Sequence, residues 1–235
     1  MITTKIIISI NVHEKISFLH KQLTNISNFM IDDYYIILNC NEYMFNELKN
    51  ETLASNIIIN PNYFNKERFT GLLTKGIVYN IEYALTNFIF EYFIIMSSRE
   101  FFYNNLALQN LIDLPYASDT DSYIGYKHHD FIDLNTWHWP IFQNTLLYKY
   151  FYNGYIASSP HEGLVFDYET ITKIITFLNS NENIKLDIFN TQHCCEEFAL
   201  QTISVNIGHG FKYIGNGTCD FVSDPLKYTY KIIRN

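Results

Sequence analysis

Four short apolar runs, each separated from the next by a stretch with helical spacing, constrain this chain more than any other feature. Residues 5–12 read as a buried strand, because the run is β-branched and bounded by polar residues. Residues 13–29 carry apolar side chains at 16, 19, 23 and 26, the spacing of one helix face. The runs at 34–39 and 56–60 predict a second and a third strand, the latter stopped by Pro61. Between them, 43–53 predicts a short helix. A stripe at 73, 77, 81, 84, 85 and 88 predicts a helix over 71–90. Residues 92–96 predict the fourth strand, which runs into the polar turn Ser97-Ser98-Arg99-Glu100. The order β-α-β-α-β-α-β implies an α/β protein with a Rossmann-like, mainly parallel sheet flanked by helices. Ligands in such sheets bind beyond the carboxyl ends of the strands. The segments to inspect are therefore 11–13, 39–41, 60–68 and 97–100.

The second half is less regular. Residues 115–160 are rich in aromatics and turn formers. Residues 167–178 predict an amphipathic helix with Asp167 as its N-cap and Thr170 completing the first turn. Residues 196–205 predict another helix, and the tail, 211–235, looks strand-like. No repeat and no low-complexity linker divides the chain, so 1–235 is read as a single domain, with a regular half to about residue 100 and an irregular half after it.

Composition narrows the partners. Hydrophobic residues make up 48% of the 235, enough to bury a sizeable core. Sixteen basic against twenty-four acidic residues give a net charge of −8. That argues against nucleic acid and against an anionic membrane surface as partners. The abundance of Ile, Asn, Tyr, Phe and Lys is read as the mark of an AT-rich genome rather than of function. No run of about 20 apolar residues predicts a membrane span, and the opening residues do not read as a signal peptide. The expectation is a cytoplasmic protein. Of the four cysteines, Cys194 and Cys195 are vicinal and none forms a CxxC pair, so a zinc ribbon is not expected. The vicinal pair has no evident role.

Several motifs carry chemistry, each beside a plainer reading. Asp119-Thr120-Asp121 has the Asp-x-Asp form that bridges Mn²⁺ or Mg²⁺ to a diphosphate, or it is a solvated turn. Trp137 and Trp139 face the same way on an extended segment, to stack on a sugar or to pack a core. His161-Glu162 precedes the helix at 167–178 and suits acid–base work, or fixes a turn. Glu196-Glu197 opens a helix, where carboxylates also oppose the macrodipole. Lys212, Lys227, Lys231 and Arg234 stand out in an acidic chain. They suit a diphosphate held without metal, or they solubilise a sheet edge.

Four of these pieces occur in an order that resembles the core-2/I-branching β-1,6-N-acetylglucosaminyltransferase family, which includes the peptide O-xylosyltransferases. Asn11-Val12-His13 looks like that family's first strand ending in histidine. Phe69-Thr70-Gly71 resembles its Trp-Gly turn into a helix. Tyr92 to Glu100 resembles its strand ending in a Leu-Ser-Gly-x-Asp-type turn. Glu196-Glu197 and the residues through Ile203 resemble its Pro-Asp-Glu helix. The match spans roughly residues 5–205 at remote identity. Cys195 stands where the family has proline, and Ser98-Arg99 where it has Ser-Gly. The family's luminal anchor and disulfides are not expected in this chain.

The resemblance implies a GT-A-like fold, with residues 1–100 as the nucleotide-binding half and 101–235 as the acceptor-binding and catalytic half. It implies inverting transfer of a sugar, GlcNAc or xylose among the candidates, from a UDP-sugar to a glycan or other hydroxyl, with no metal cofactor. By this match Glu197 is the catalytic base and Glu196 its acidic neighbour. Candidates for the nucleotide are Asn11, His13, Asn39, Arg99, Lys212, Lys227, Lys231 and Arg234; Trp137, Trp139, His161 and Glu162 are candidates for the acceptor. Two alternatives stay open. One is a metal-dependent GT-A enzyme using Asp119 and Asp121. The other is a non-catalytic carbohydrate-binding protein on a transferase scaffold.

Overall fold

The structure, a computed structural model, describes residues 1–67, 70–116, 142–215 and 227–232, and the backbone alone of 125–128. In chain order the first half holds β1 (Ile2–Thr3), β2 (Ile6–Val12), α1 (Ile16–Phe29), β3 (Tyr34–Cys40), α2 (Glu42–Leu48), β4 (Ile57–Ile59), α3 (Leu72–Asn87), β5 (Phe88–Ile89) and β6 (Tyr92–Ser97). The second holds β7 (Glu100–Phe102), α4 (Leu108–Asp113), β8 (Gly125–His128), α5 (Leu146–Tyr150), β9 (Tyr155–Ser158), β10 (Leu164–Asp167), α6 (Tyr168–Ser180), α7 (Glu182–Asn190), a 3₁₀ turn at Cys195–Glu197, α8 (Ala199–Ile207), β11 (Lys212–Tyr213) and β12 (Thr229–Lys231).

The main sheet has six strands in the order β11-β10-β6-β2-β3-β4. The four strands expected from the first hundred residues form its parallel part. β10 joins the edge of β6 antiparallel, and β11 joins β10 in the same sense. The chain is thus an α/β protein with a mainly parallel, mixed, Rossmann-like sheet between helical layers.

β2 explains why the sheet is built this way. All seven of its residues are buried, because strands flank it on both edges and helices cover both faces. Such a strand reads as a continuous apolar run rather than an alternating one. Its side chains still divide by parity. Ile7, with Ile37, Phe93 and Ile95, packs under α3, α6 and α8. Ile6, Ile8, Ile10 and Val12, with Ile36, Leu38 and Ile94, pack under α1 and α2. Asn80 of α3 is buried in the first layer and donates to Ser9 Oγ and to the Ile37 carbonyl, each at 3.0 Å. That bond satisfies the one polar side chain of β2 facing α3 at mid-strand.

Four expectations need revision. The helix expected over 43–53 ends at Leu48. The helix expected over 71–90 stops at Asn87, because Phe88 and Ile89 leave it to pair with β1. The helix expected over 196–205 is two elements, the 3₁₀ turn and α8, separated by Phe198 in a non-helical conformation. β7, β9, β10, α5 and α7 were not anticipated; most are too short to show a period of their own. Asp167 does cap α6, its carboxylate accepting from Thr170 N at 2.7 Å.

Candidate functional site

Three strand ends supply one side of a cleft of about 350 Å³. β2 delivers Asn11 and, just past its end, His13. β3 is followed by Asn41, which caps α2 by accepting from Met44 N at 2.8 Å and also borders the cleft. β6 ends at Ser97, directly beside Asn11 in the parallel register, and the turn after it carries Arg99.

That turn is tightly held. Gln22 of α1 donates to the carbonyls of Ser97 (2.7 Å) and Glu100 (2.8 Å). The Glu100 carboxylate folds back to accept from Ser97 N at 3.1 Å and from the Thr229 hydroxyl. Complete burial pushes the Glu100 carboxyl up to about 8, against the opposing pull of the Thr229 hydrogen bond. The turn in consequence fixes the side chains of Ser98 and Arg99, of which Arg99 lines the cleft. Ser98 Oγ meets His13 Nε2 at 3.1 Å. Arg99 Nε lies 3.5 Å from Glu14 Oε1, while Arg99 Nη1 donates to the Ile232 carbonyl at 3.3 Å.

The facing wall comes from two loops far apart in sequence. Ser159 N donates to the Glu197 carbonyl at 2.9 Å. Gln201, buried at the start of α8, donates to the carbonyls of both Ser159 (3.2 Å) and Glu196 (3.1 Å). The loop before β10 and the acidic turn are therefore one unit. Gly163 completes it with φ +80°, and a side chain there would collide with the backbone of Gly215. This unit brings His161, Glu162, Cys194, Glu196 and Glu197 to the cleft, with Lys231 entering from β12.

The electrostatics of this wall are asymmetric. Glu162 is buried and forms an ion pair with Lys231, and His161 Nδ1 lies 3.5 Å from its other oxygen. Burial alone would raise the Glu162 carboxyl, but His161 and Lys231 outweigh it and hold the group below its ordinary value. Glu196 is also buried, yet its Oε2 has no hydrogen-bond partner among the described residues. Burial, reinforced by Glu197 and Glu162, pushes its carboxyl up to about 8. Among the cleft's carboxyl groups, which also include Glu67 and Glu197, the partners of Glu162 thus favour its charged form and burial favours the neutral form of Glu196. Carboxyl groups driven apart in this way are how one site runs acid and base chemistry together. Cys194 is pushed up to about 12 by burial, so its thiol is a poor nucleophile at neutral pH.

Of the residues singled out in the sequence, Asn11, His13, Arg99, His161, Glu162, Glu196, Glu197 and Lys231 line this cleft. Asn39, Lys212 and Lys227 do not. Asn39 is fully buried and donates to the Asn62 carbonyl at 3.1 Å. Lys212 points to the far end of the sheet, donating to the carbonyls of Leu111 and Ile112. Lys227 lies over the Tyr213 ring, 4.7 Å from its centroid. Asp119, Asp121, Trp137, Trp139 and Arg234 lie outside the described residues.

Lys66 lines the cleft and escaped the sequence reading, although the segment after the third strand was marked for inspection. Its Nζ donates to the carbonyls of Cys40 (2.9 Å) and Asn39 (3.3 Å), across the end of β3. Burial lowers its ammonium to about 8. The signal that could have found it is position: a lysine in the first loop beyond a buried parallel strand. No group of three or more potential metal ligands gathers among the described residues. None of the helices among those residues is long and apolar enough to cross a membrane. The chain matches no protein-family model and no curated protein.

Proposed function

We propose that the chain is an inverting glycosyltransferase, moving a sugar from a UDP-sugar to a hydroxyl acceptor without needing a metal. One observation carries this reading. The segments that resemble the branching-transferase motifs lie far apart in sequence, yet His13, Arg99, Glu196 and Glu197 border one cleft at the carboxyl ends of parallel strands, and Lys231 joins them there. The remaining segment serves the frame: Gly71 N donates to the Thr191 carbonyl at 2.9 Å, tying the start of α3 to the loop before the acidic turn.

In this mechanism Glu197 takes the proton of the acceptor hydroxyl as its oxygen attacks the anomeric carbon from the face opposite the nucleotide. The bond from that carbon to the diphosphate oxygen breaks, and UDP leaves with the electron pair, so configuration inverts. Arg99 and Lys231 stabilise the charge that develops on the diphosphate, a task preorganised cations perform without reorganising. Burial raises the Glu196 carboxyl to about 8, which favours its neutral form and limits the charge placed beside the base.

The test is thermal shift with a panel of nucleotides and nucleotide-sugars, each with EDTA or with Mn²⁺, because a ligand of the native state raises apparent stability. A UDP-specific shift that survives EDTA supports the reading. A shift that requires Mn²⁺ moves Asp119 and Asp121 into the site. A shift with glycans but with no nucleotide favours a carbohydrate-binding protein. Where transfer is detected, Glu197→Gln is expected to keep UDP binding and lose about 10²–10⁴-fold in turnover. Turnover within about tenfold of the parent would remove Glu197 as the base.

A further inference from the structure

Three cations reach the cleft from the described residues, and they are not equivalent. Arg99 is ion-paired with Glu14, and Lys231 with Glu162. An anion approaching either must share it with a carboxylate already in place. Lys66 pairs with no carboxylate among the described residues: its Nζ meets two main-chain carbonyls and stands 4.6 Å from the centre of the Phe64 ring. An ammonium has three N–H donors. Two are taken, and one is left for the cleft.

A second group beside it also lacks a partner. Asn11 is 9% exposed, and its Nδ2 donates to the Leu73 carbonyl at 2.8 Å. That bond fixes the amide and leaves Oδ1 buried with no hydrogen-bond partner among the described residues. A side chain at position 76 would run into both Asn11 Oδ1 and Lys66 Cε, so Gly76 lets the two groups converge over α3. Leu73, Ile77 and Met96 give the same cavity apolar walls. A desolvated cation with no countercharge and a buried acceptor with no donor among the described residues are each costly, and one ligand relieves both.

We infer that Lys66 is the primary anion anchor of the cleft and that Asn11 Oδ1, beside it, accepts a hydroxyl of the same ligand. Taking the anion to be the diphosphate of a nucleotide-sugar rests on the function proposed above; the anchor itself does not. Burial lowers the Lys66 ammonium to about 8, in keeping with a cation that pairs with no carboxylate among the described residues. Arg99 and Lys231 then engage the diphosphate second, as Glu14 and Glu162 give them up.

The experiment is calorimetric titration of the full chain with inorganic pyrophosphate, UDP and uridine, on the parent, Lys66→Met and Lys66→Arg. Lys66→Met is expected to weaken pyrophosphate and UDP by about 10–100-fold, the range for losing a charged hydrogen bond. Uridine should change by less than about threefold, and Lys66→Arg should recover most of the loss. If UDP binds and Lys66→Met binds it within about twofold, the anchor is overturned and the transferase reading stands. If pyrophosphate binds through Lys66 while UDP and uridine gain nothing, the anchor stands and the nucleotide-sugar reading falls. If neither pyrophosphate nor UDP binds the parent, both fall. Should Lys66→Met fail to fold, ¹³C-methylated lysine resonances of the parent decide. A Lys66 signal that moves with pyrophosphate supports the anchor, and one that stays still at saturation overturns it.

Discussion

Glu196 and Glu197 are adjacent in sequence and differ in surroundings: Glu196 is buried with an unpartnered oxygen, and Glu197 sits half-buried at the edge of the cleft. The burial of Glu196 and Glu100 has a consequence for stability. Each carboxyl is raised from 4.5 to about 8 in the folded protein. The folded state therefore binds more protons than the unfolded state between those values, and stability falls as pH rises through that window. The contribution is fully present below the unfolded value and lost above the folded one. Melting temperature is expected to drop between about pH 5 and about pH 9, and Glu196→Gln, which cannot ionise, should drop less. Equal slopes for parent and variant would show that Glu196 is not the titrating group. Glu162 acts in the opposite sense: its lowered carboxyl supports the fold above its unfolded value and ceases to as pH falls through the folded one. At this scale the sequence was partly legible. Glu197, His161 and Arg99 were visible as chemistry-bearing side chains, but Lys66 was one lysine among many until the end of β3 lay beneath it.

The elements that hold the cleft are tied by single residues. Gly71 packs so closely on α7 that a methyl group there would overlap the Ile188 carbonyl oxygen. Gly71→Ala is expected to cost about 1–3 kcal/mol in chemical denaturation, since backbone cannot yield as a flexible side chain does. A loss below about 0.5 kcal/mol would mean that α3 and α7 slide apart freely. Asp167 is a different case. It caps α6 and also accepts from the Tyr116 hydroxyl at 2.7 Å, with His209 Nδ1 at 3.0 Å. Asp167→Ala should cost about 1 kcal/mol for the cap alone, and more where the other two bonds contribute. The cap was readable because an aspartate before an apolar stripe is a local signal. The break at Phe198 was not, because it depends on Gln201 gripping the loop at Ser159.

Across the whole molecule, stability should be graded from the sheet outward. β2 and β6 lie inside the main sheet, whereas β1 with β5, β7 with β12 and β8 with β9 form two-stranded pairs. Native-state hydrogen exchange is expected to be slowest in β2 and β6 and faster in the pairs. Uniform protection would show that the molecule opens only as one unit. The sequence by itself determined the parallel half of the sheet and which segments follow its strand ends. The physical reason is that a strand buried on both faces must be apolar throughout and a covering helix must show its stripe, so both leave a local record. Only the tertiary structure decided that β10 would close the sheet antiparallel, that Lys231 would pair with Glu162, and that Lys66 and Asn11 would face the same cavity. Those facts depend on contacts between residues distant along the chain, and on burial, which sets the charge of Glu196 and Lys66 and which no short window of sequence contains.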